Sequence, residues 1–319
     1  MKNGLPRVIR IIMIAVLAFI TAFAVMRGLE KSRREGPYGR MNMDNQQSTL
    51  SISVLGKDGT VEQMELEEYI ARVVLGEAST EYHPEALKAQ AVAVRTYTLY
   101  CVLSLSKHTE GAVCKDHRCC QAYCDPDDYL RNGGTQQGLE KVRRAVQDTR
   151  GEVLYYNNEL ICATYFACSA GRTENAEDVW GEKYPYLKAV FSSEENSGCD
   201  EQKIELSASE LQHCLGVQLA GKPEQWFGFK LDTVGGGVAL IRIGGNLYTG
   251  VELRKLLNLR STIFDITVKN ESVIIQSRGY GHRVGMSQHG ANAMAEAGCG
   301  YKSILLHYYT GVTLKPYES

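Results

Sequence analysis

The sequence has little net charge and no internal repeat, and the small net charge already excludes one broad class of protein. Its formal charge is −2 over 319 residues, whereas a general nucleic-acid binder carries a strong basic excess. Its hydrophobic share of 44% is higher than that of disordered chains, which bury too little apolar surface to fold. We therefore expect a folded protein that does not bind nucleic acid.

Two common active-site motifs are also missing. The nucleophile motif Gly-x-Ser-x-Gly is absent, so Ser169, in the small-residue turn of segment 165–173, is more typical of a structural serine than of a nucleophile. The glycine-rich segment 279–290 does not follow the dinucleotide-binding pattern Gly-x-Gly-x-x-Gly between a strand and a helix. Its glycines allow the backbone to approach a ligand closely, so we interpret this segment as a binding loop of another kind.

The longest uncharged apolar run lies near the N-terminus, at residues 11–26 between Arg10 and Arg27. Together with the apolar residues just before it, the run approaches the roughly 17–20 residues that cross a bilayer. Basic residues flank both ends, so their distribution does not decide how the span is oriented in the membrane. The orientation is inferred from the position of the run, ahead of a long folded part. We predict a cytoplasmic segment 1–10, a transmembrane signal anchor 11–27, a linker 28–50 and an extracytoplasmic catalytic domain 51–319. Cleavage near residues 22–24 is the alternative.

Hydrophobic periodicity predicts an α+β fold, a single mixed domain with several helices and short antiparallel strands. The pattern lacks the regular strand–helix alternation of a doubly wound sheet. A hairpin is expected from 51–56 and 60–65, since the two runs alternate around an Asp-Gly turn. The other predicted strands are 152–156, 160–168 and a C-terminal strand, and the predicted helices are 66–77, 84–105, 135–149, 250–258, 289–297 and 301–309.

Glu77 is the most informative single residue. It lies on the apolar stripe of the helix predicted at 66–77, directly after Gly76. A carboxyl group there is costly to bury in its charged form, so burial would raise its pKa and suit it to act as a general acid. A structural role, as a helix-end or salt-bridged glutamate paired with Arg95, is the alternative.

Four of the ten cysteines fall within residues 114–124, beside two histidines. Such crowding is more typical of metal ligation than of disulfides, because bridges across very short loops are geometrically awkward. His108, Cys114 and Cys120 supply three zinc ligands, and Cys119 is the preferred fourth, with His117 or water as alternatives. A disulfide pair beside two surface histidines is the competing interpretation. We expect one structural Zn²⁺ ion, since a thiolate-rich set of ligands weakens the Lewis acidity that a catalytic zinc needs.

Several segments taken together closely resemble the stage II sporulation protein D family. They are Leu75-Gly76-Glu77, the segment 83–97 (HPEALKAQAVAVRTY), residues 120–123 (CQAY), the segment 165–180 ending ENAEDVW, and the loop 279–290 with its sequel to Tyr309. The resemblance covers nearly the whole chain in the family's order. It implies a membrane-anchored lytic transglycosylase that cuts MurNAc-β-1,4-GlcNAc bonds of denuded peptidoglycan strands to 1,6-anhydro products during forespore engulfment.

The resemblance also implies residue roles and partners. Glu77 falls on the family's catalytic glutamate, and the clostridial-type branch has a zinc site at the positions of His108, Cys114 and Cys120. Many relatives have glycine at the position of Arg283, so we expect either a stiffer backbone or an added cation at the groove. The implied partners are a sporulation amidase and other engulfment proteins. The implied location is the mother-cell membrane, with the catalytic domain facing the septal peptidoglycan.

Polar residues near Glu77 would orient the sugars. Gln90 and Tyr97 share one helix face, whereas Arg95 lies on another and is alternatively structural. The candidates for substrate binding are Gln90, Arg95, Tyr97, Gln121, Tyr123, Ser169, His282, Ser287 and Gln288. Two other functions are alternatives to the lytic transglycosylase. One is a non-catalytic glycan-binding scaffold for the amidase, and the other is a zinc-dependent wall hydrolase with Glu77 as its base.

Overall fold

The computed structural model describes residues 50–105, 107–108, 112–192 and 201–318. The predicted anchor 11–27 and the segments on either side of it, 1–10 and 28–49, lie outside these ranges. Among the helices of the described residues, none combines the length and the apolar character needed to cross a membrane.

The described part is a mixed α/β structure with several small sheets, as predicted. The helices are α1 (Leu66–Glu77), α2 (Pro84–Tyr100), α3 (Pro126–Arg131), α4 (Gln136–Asp148), α5 (Ala176–Trp180), α6 (Ala208–Leu215), α7 (Gly250–Leu256), α8 (Gln288–Glu296) and α9 (Tyr301–Tyr308). The strands are β1 (Ser51–Leu55), β2 (Val61–Glu65), β3 (Val113–Cys114), β4 (Glu152–Tyr156), β5 (Glu159–Leu160), β6 (Tyr165–Phe166), β7 (Gly171–Arg172), β8 (Phe191–Ser192), β9 (Gln202–Leu206), β10 (Phe227–Asp232), β11 (Val238–Ile243), β12 (Asn246–Tyr248), β13 (Ile263–Lys269), β14 (Ser272–Arg278), β15 (Met286–Ser287) and β16 (Thr313–Pro316).

The alanine-rich helix α2 is the centre of the first lobe, which comprises the described residues outside 201–278. It packs against α1, α4, α8, α9 and β4. Its small side chains are buried on several sides, as expected for a helix enclosed by others. Pro84 occupies its first turn, and the ring of His83 accepts a hydrogen bond from the N–H of Glu85, which starts the helix where the sequence predicted.

The second lobe, residues 201–278, has a hydrophobic cluster of its own. Its two three-stranded sheets are ordered β10-β11-β12 and β13-β14-β9, and all their pairs are antiparallel. Helices α6 and α7 pack on these sheets. The cluster includes Trp226, Ile243 and Phe264.

Three details of the predicted elements were wrong. The helix predicted to reach residue 105 keeps its α-helical hydrogen bonds only to Tyr100 and continues as a π-helical turn over Cys101–Leu105. The strand predicted at 160–168 ends at Leu160, because close turns at Ala163 and Thr164 take the backbone out of the ladder. The chain then pairs again as β6, which runs parallel to β15, and β1 and β3 are also parallel.

Candidate functional site

Glu77 ends α1 directly beside the loop that leads from the cysteine cluster. Gly76 permits this approach, because a Cβ at that position would lie 2.8 Å from the backbone nitrogen of Tyr123. The N–H of Ala122 consequently reaches Glu77 and donates to its Oε1 at 2.6 Å. The loop is fixed a second time by the N–H of Cys124, which donates to the carbonyl of Arg72 at 3.0 Å.

The pKa of Glu77 is raised above its ordinary value because the carboxyl group is largely desolvated by burial. The Ala122 N–H, the charge of His117 and the hydroxyl of Tyr165 all act in the opposite direction, but burial prevails. Among the described groups that shift this pKa, none is a second carboxylate. Glu77 is therefore a lone carboxyl that holds its proton to higher pH than an exposed glutamate.

Tyr165, to which the sequence assigned no role, is a direct neighbour of Glu77. Its hydroxyl donates to Oε1 of Gln121 at 2.9 Å, and the same hydroxyl acts to lower the pKa of the Glu77 carboxyl. Gln121 in turn donates through Nε2 to Oγ1 of Thr98 at 2.9 Å. These buried groups fix the orientation of Gln121 and Tyr165 behind the acid.

Two other candidates come from the start of α8. Gln288 donates through Nε2 to the main-chain carbonyl of Glu77 at 3.0 Å, so the glycine-rich segment does reach the acid. Ser287 is fully buried, and its hydroxyl accepts from the N–H of Gly290 as the cap of α8. Ser287 thus positions Gln288 and has no exposed hydroxyl for a sugar.

Arg95 is not paired with Glu77. It is fully buried, and its guanidinium binds both carboxylate oxygens of Glu67, with Nε to Oε1 at 2.9 Å. It also donates to the main-chain carbonyls of Glu152 and Val146. This arrangement matches the structural alternative for Arg95.

The hydrogen bonds of Glu77 among the described residues do not include Gln90, Tyr97 or the side chain of Tyr123. Gln90 is buried, and its Nε2 has no hydrogen-bond partner among the described residues. Tyr97 is half-buried, with the ammonium of Lys107 at 5.8 Å from its ring centroid. The hydroxyl of Tyr123 accepts from Arg72 at 2.8 Å.

Ser169 and His282 also have their polar atoms engaged inside the protein. Ser169 is fully buried and accepts a hydrogen bond from the N–H of Gly171 at 3.1 Å. His282 Nδ1 accepts from the N–H of Val284 at 3.1 Å. Burial, with a smaller contribution from Arg254, lowers the pKa of His282 to about 4. The ring is neutral near pH 7.

Arg283 does not add a cation to the groove. It is fully buried, and its Nη1 lies 2.9 Å from Oε1 of Glu174, which is also fully buried. Its backbone has φ = 65°, in the left-handed region where glycine is the usual residue. The side chain therefore stabilises the inside of the protein.

The four residues predicted to bind zinc do come together. The ligand atoms of His108, Cys114, Cys119 and Cys120 all lie within 4.8 Å of one another. Nε2 of His108 is 3.4 Å from Sγ of Cys119 and 3.5 Å from Sγ of Cys120. A tetrahedral zinc with ordinary bond lengths would separate N and S ligands by about 3.6 Å and two S ligands by about 3.8 Å. The cysteines are free thiols, so the disulfide alternative does not describe this cluster, and a metal site fits it.

We expect the purified protein to bind about one zinc ion per chain, and Cys119→Ser to weaken binding. Losing a direct ligand should cost more than the roughly 10–100-fold in affinity that changes in the ligands' own partners cost. Metal analysis after dialysis against a graded series of chelators measures this. Cys124→Ser, just outside the cluster, is the matched control. Equal zinc retention in the two variants would exclude Cys119 and favour His117 or water as the fourth ligand.

Comparisons with known proteins agree on one family. A family profile described as Stage II sporulation protein matches residues 56–156. The chain is 38% identical to Stage II sporulation protein D of Bacillus amyloliquefaciens over 279 residues, which cover 86% of this chain and 81% of that protein. It is 37% identical to the protein of the same name from Bacillus subtilis (strain 168), over 80% of this chain and 76% of that protein. It is also 29% identical to an Amidase enhancer of Bacillus subtilis (strain 168), over 77% of this chain and 40% of that protein.

Proposed function

Because the chain belongs to the stage II sporulation protein D family, we propose that it acts in sporulation as a lytic transglycosylase of peptidoglycan. The bond cleaved would be the β-1,4 linkage from N-acetylmuramic acid to N-acetylglucosamine in strands without stem peptides. The observation that carries this proposal is the lone, half-buried carboxyl of Glu77 with its raised pKa. The family alone does not specify the reaction, whereas a lone acid limits the chemistry available.

In the first step, the protonated Glu77 carboxyl donates its proton to the glycosidic oxygen as the bond from that oxygen to C1 of the muramoyl residue breaks. The departing N-acetylglucosamine keeps the proton as its free 4-hydroxyl. The N–H of Ala122 binds Oε1 at 2.6 Å, which leaves Oε2 as the oxygen that exchanges the proton. Desolvation raises the pKa of Glu77, which favours the protonated form that a general acid needs.

In the second step, the C6 hydroxyl oxygen of the same muramoyl residue bonds to C1, and Glu77 takes the hydroxyl proton. The product is the 1,6-anhydro sugar, and Glu77 returns to its protonated state without water. Hydrolytic glycosidases need a second carboxylate, roughly 5–10 Å from the first, as nucleophile or as base for water. A carboxylate at the shorter of these separations would raise the pKa of Glu77 further by repulsion. No such contribution comes from the described residues, which supports the water-free reaction.

The cysteine cluster would hold in place the loop whose Ala122 N–H binds Glu77. Zinc bound by His108, Cys114, Cys119 and Cys120 would supply a rigid cross-link rather than a reactive water, because four protein ligands close the coordination sphere. Cys120 is only two residues from Ala122, whose N–H binds Glu77. We therefore assign the cluster a structural role.

The location and partners complete the proposal. We place the folded domain outside the cytoplasm, tethered by an anchor at residues 11–27 and facing the septal wall during engulfment. Cys168 is disulfide-bonded, which supports an oxidising compartment. The Amidase enhancer similarity supports an amidase as a functional partner, one that would remove stem peptides and supply the denuded strands.

Mass spectrometry of the products formed from denuded glycan strands by the full chain tests this function. We expect anhydromuramoyl ends, and we expect them also after treatment with a chelator mild enough to leave the fold intact. Reducing ends, heavier by one water molecule, would instead indicate a hydrolase, and their loss on chelation would indicate a zinc-activated one. Strands that are bound but never cut would indicate the glycan-binding scaffold.

A further inference from the structure

The two tryptophans of the chain have opposite environments. Trp226 is buried in the second lobe, only 4% exposed, and its Nε1 donates to the carbonyl of Ala220 at 3.0 Å. Trp180 ends the short helix α5 and is 39% exposed. An indole ring left this open in water loses the hydrophobic stabilisation that burial would provide. Its open face is therefore available to a ligand.

The exposed ring of Trp180 is nevertheless supported on one side. Its centroid lies 5.3 Å from the ring of His282, and Tyr184 meets it edge-on at 6.4 Å. His282 itself rests on Phe166 at 5.7 Å. The ring of His282 thus supports one side of the indole as an uncharged aromatic ring. A ring fixed in this way loses little conformational entropy when a ligand covers its open face.

Trp180 is connected to the site of Glu77 through His282. The ring of His282 packs on Phe166 of β6, and Phe166 pairs with Ser287 of β15, directly before Gln288. His282 also belongs to the glycine-rich segment 279–290, whose residue Gln288 binds the Glu77 carbonyl. These contacts connect Trp180 to the segment that reaches the acid and not to Glu77 itself, so a ligand on Trp180 lies outside the reacting centre.

We propose that Trp180 is a distal sugar-binding platform, on which a pyranose ring of the glycan strand stacks several sugars away from the bond that is cut. The proposal rests on the proposed function, since it assigns the same substrate a second point of contact. A pyranose has an apolar C–H face that matches an aromatic ring and a rim of hydroxyls that needs polar neighbours. The next residues along the chain, Glu182 and Lys183, are both exposed and charged. One exposed ring beside charged side chains suits a sugar better than the apolar centre of a protein interface.

Tryptophan fluorescence measures this directly, because Trp226 is buried and serves as an internal reference. The full chain carrying Glu77→Gln, in detergent micelles, is titrated with denuded GlcNAc–MurNAc oligomers of increasing length. We expect long oligomers to shift the emission to shorter wavelength and to protect it from acrylamide, whereas the disaccharide does neither. Adding Trp180→Phe should remove the response and leave the emission of Trp226 unchanged. A shift that survives Trp180→Phe, or long oligomers that bind by calorimetry without any shift, would overturn the proposal.

Kinetics on the otherwise unaltered chain separate this platform from a merely structural tryptophan. Trp180→Ala is expected to raise KM for long strands roughly 2- to 10-fold, the size of one lost aromatic contact, with kcat unchanged. Trp180→Phe should restore most of the affinity, and Phe229→Ala, an exposed ring of the second lobe, is the matched control. If Trp180→Ala cleaves strands of every length with the wild-type KM, the platform is overturned while the proposed function stands. A length-dependent fluorescence response from a chain that never cuts glycan would support the platform while the proposed function fails.

Discussion

Glu77→Gln is expected to lower the rate of glycan cleavage by about 10²–10⁴-fold, the usual contribution of a positioned general acid. The glutamine keeps the size of the side chain and can still accept the hydrogen bond from Ala122 through its amide oxygen. It cannot deliver a proton to the glycosidic oxygen or take one from the C6 hydroxyl. Release of anhydromuramoyl ends per unit time measures the loss, and Glu81→Gln, an exposed glutamate four residues away, is the matched control.

The pH dependence of glycan cleavage by the wild type and by Glu77→Gln tests whether Glu77 is the general acid. Since the pKa of Glu77 is raised, the acid form persists to higher pH, and the wild-type rate should fall as pH rises through that raised value. The folded protein binds this proton more tightly than the unfolded chain. The resulting stabilisation is complete below the unfolded pKa and is lost as pH rises through the folded pKa. At neutral pH, Glu77→Gln should therefore be at least as stable as the wild type. Unchanged cleavage with the wild-type pH profile would exclude Glu77 as the acid.

The local parts of this fold could be predicted from the sequence because short-range signals specify them. The Asp-Gly turn gave the first hairpin, and the periodicity of residues 66–77 gave α1 with its bounds. The crowding of Cys114, Cys119 and Cys120 near His108 likewise identified a cluster that the fold assembles. In each case the residues concerned lie close together along the chain.

Contacts between distant segments were not accessible in the same way. Tyr165 influences the pKa of Glu77 from β6, which pairs with β15 and does not continue the β4–β5 ladder, and no periodicity marks that change. Helix geometry did place Arg95 on another face from Gln90 and Tyr97. Its partner Glu67, 28 residues earlier, became evident only when α1 packed against α2.

The pair of Arg283 and Glu174 is the clearest case of such a contact, because it connects the two lobes. Arg283 donates to the carbonyls of Ser169 and Arg172 in the first lobe and to that of Gly235 in the second. Glu174 accepts from the hydroxyl of Thr233 and from the N–H of Gly237, both in the second lobe. A Cβ at Gly235 or Gly237 would come within 2.4 Å of the Glu174 carboxylate, so the turn of the second lobe closes directly over the pair.

Arg283→Met should therefore lower the free energy of unfolding by about 3–5 kcal/mol, the usual loss when one partner of a buried ion pair is removed. The methionine fills much of the volume but leaves the charge of Glu174 buried without its cation. Adding Glu174→Gln to this variant should recover part of the loss, because the uncompensated charge is then gone. Lys230→Met, which removes exposed pairs with Asp232 and Asp265, is the control and should cost at most about 1 kcal/mol. Denaturant unfolding measures the free energy of unfolding of all these variants. If Arg283→Met loses no more of that free energy than the control, the pair does not hold the lobes together.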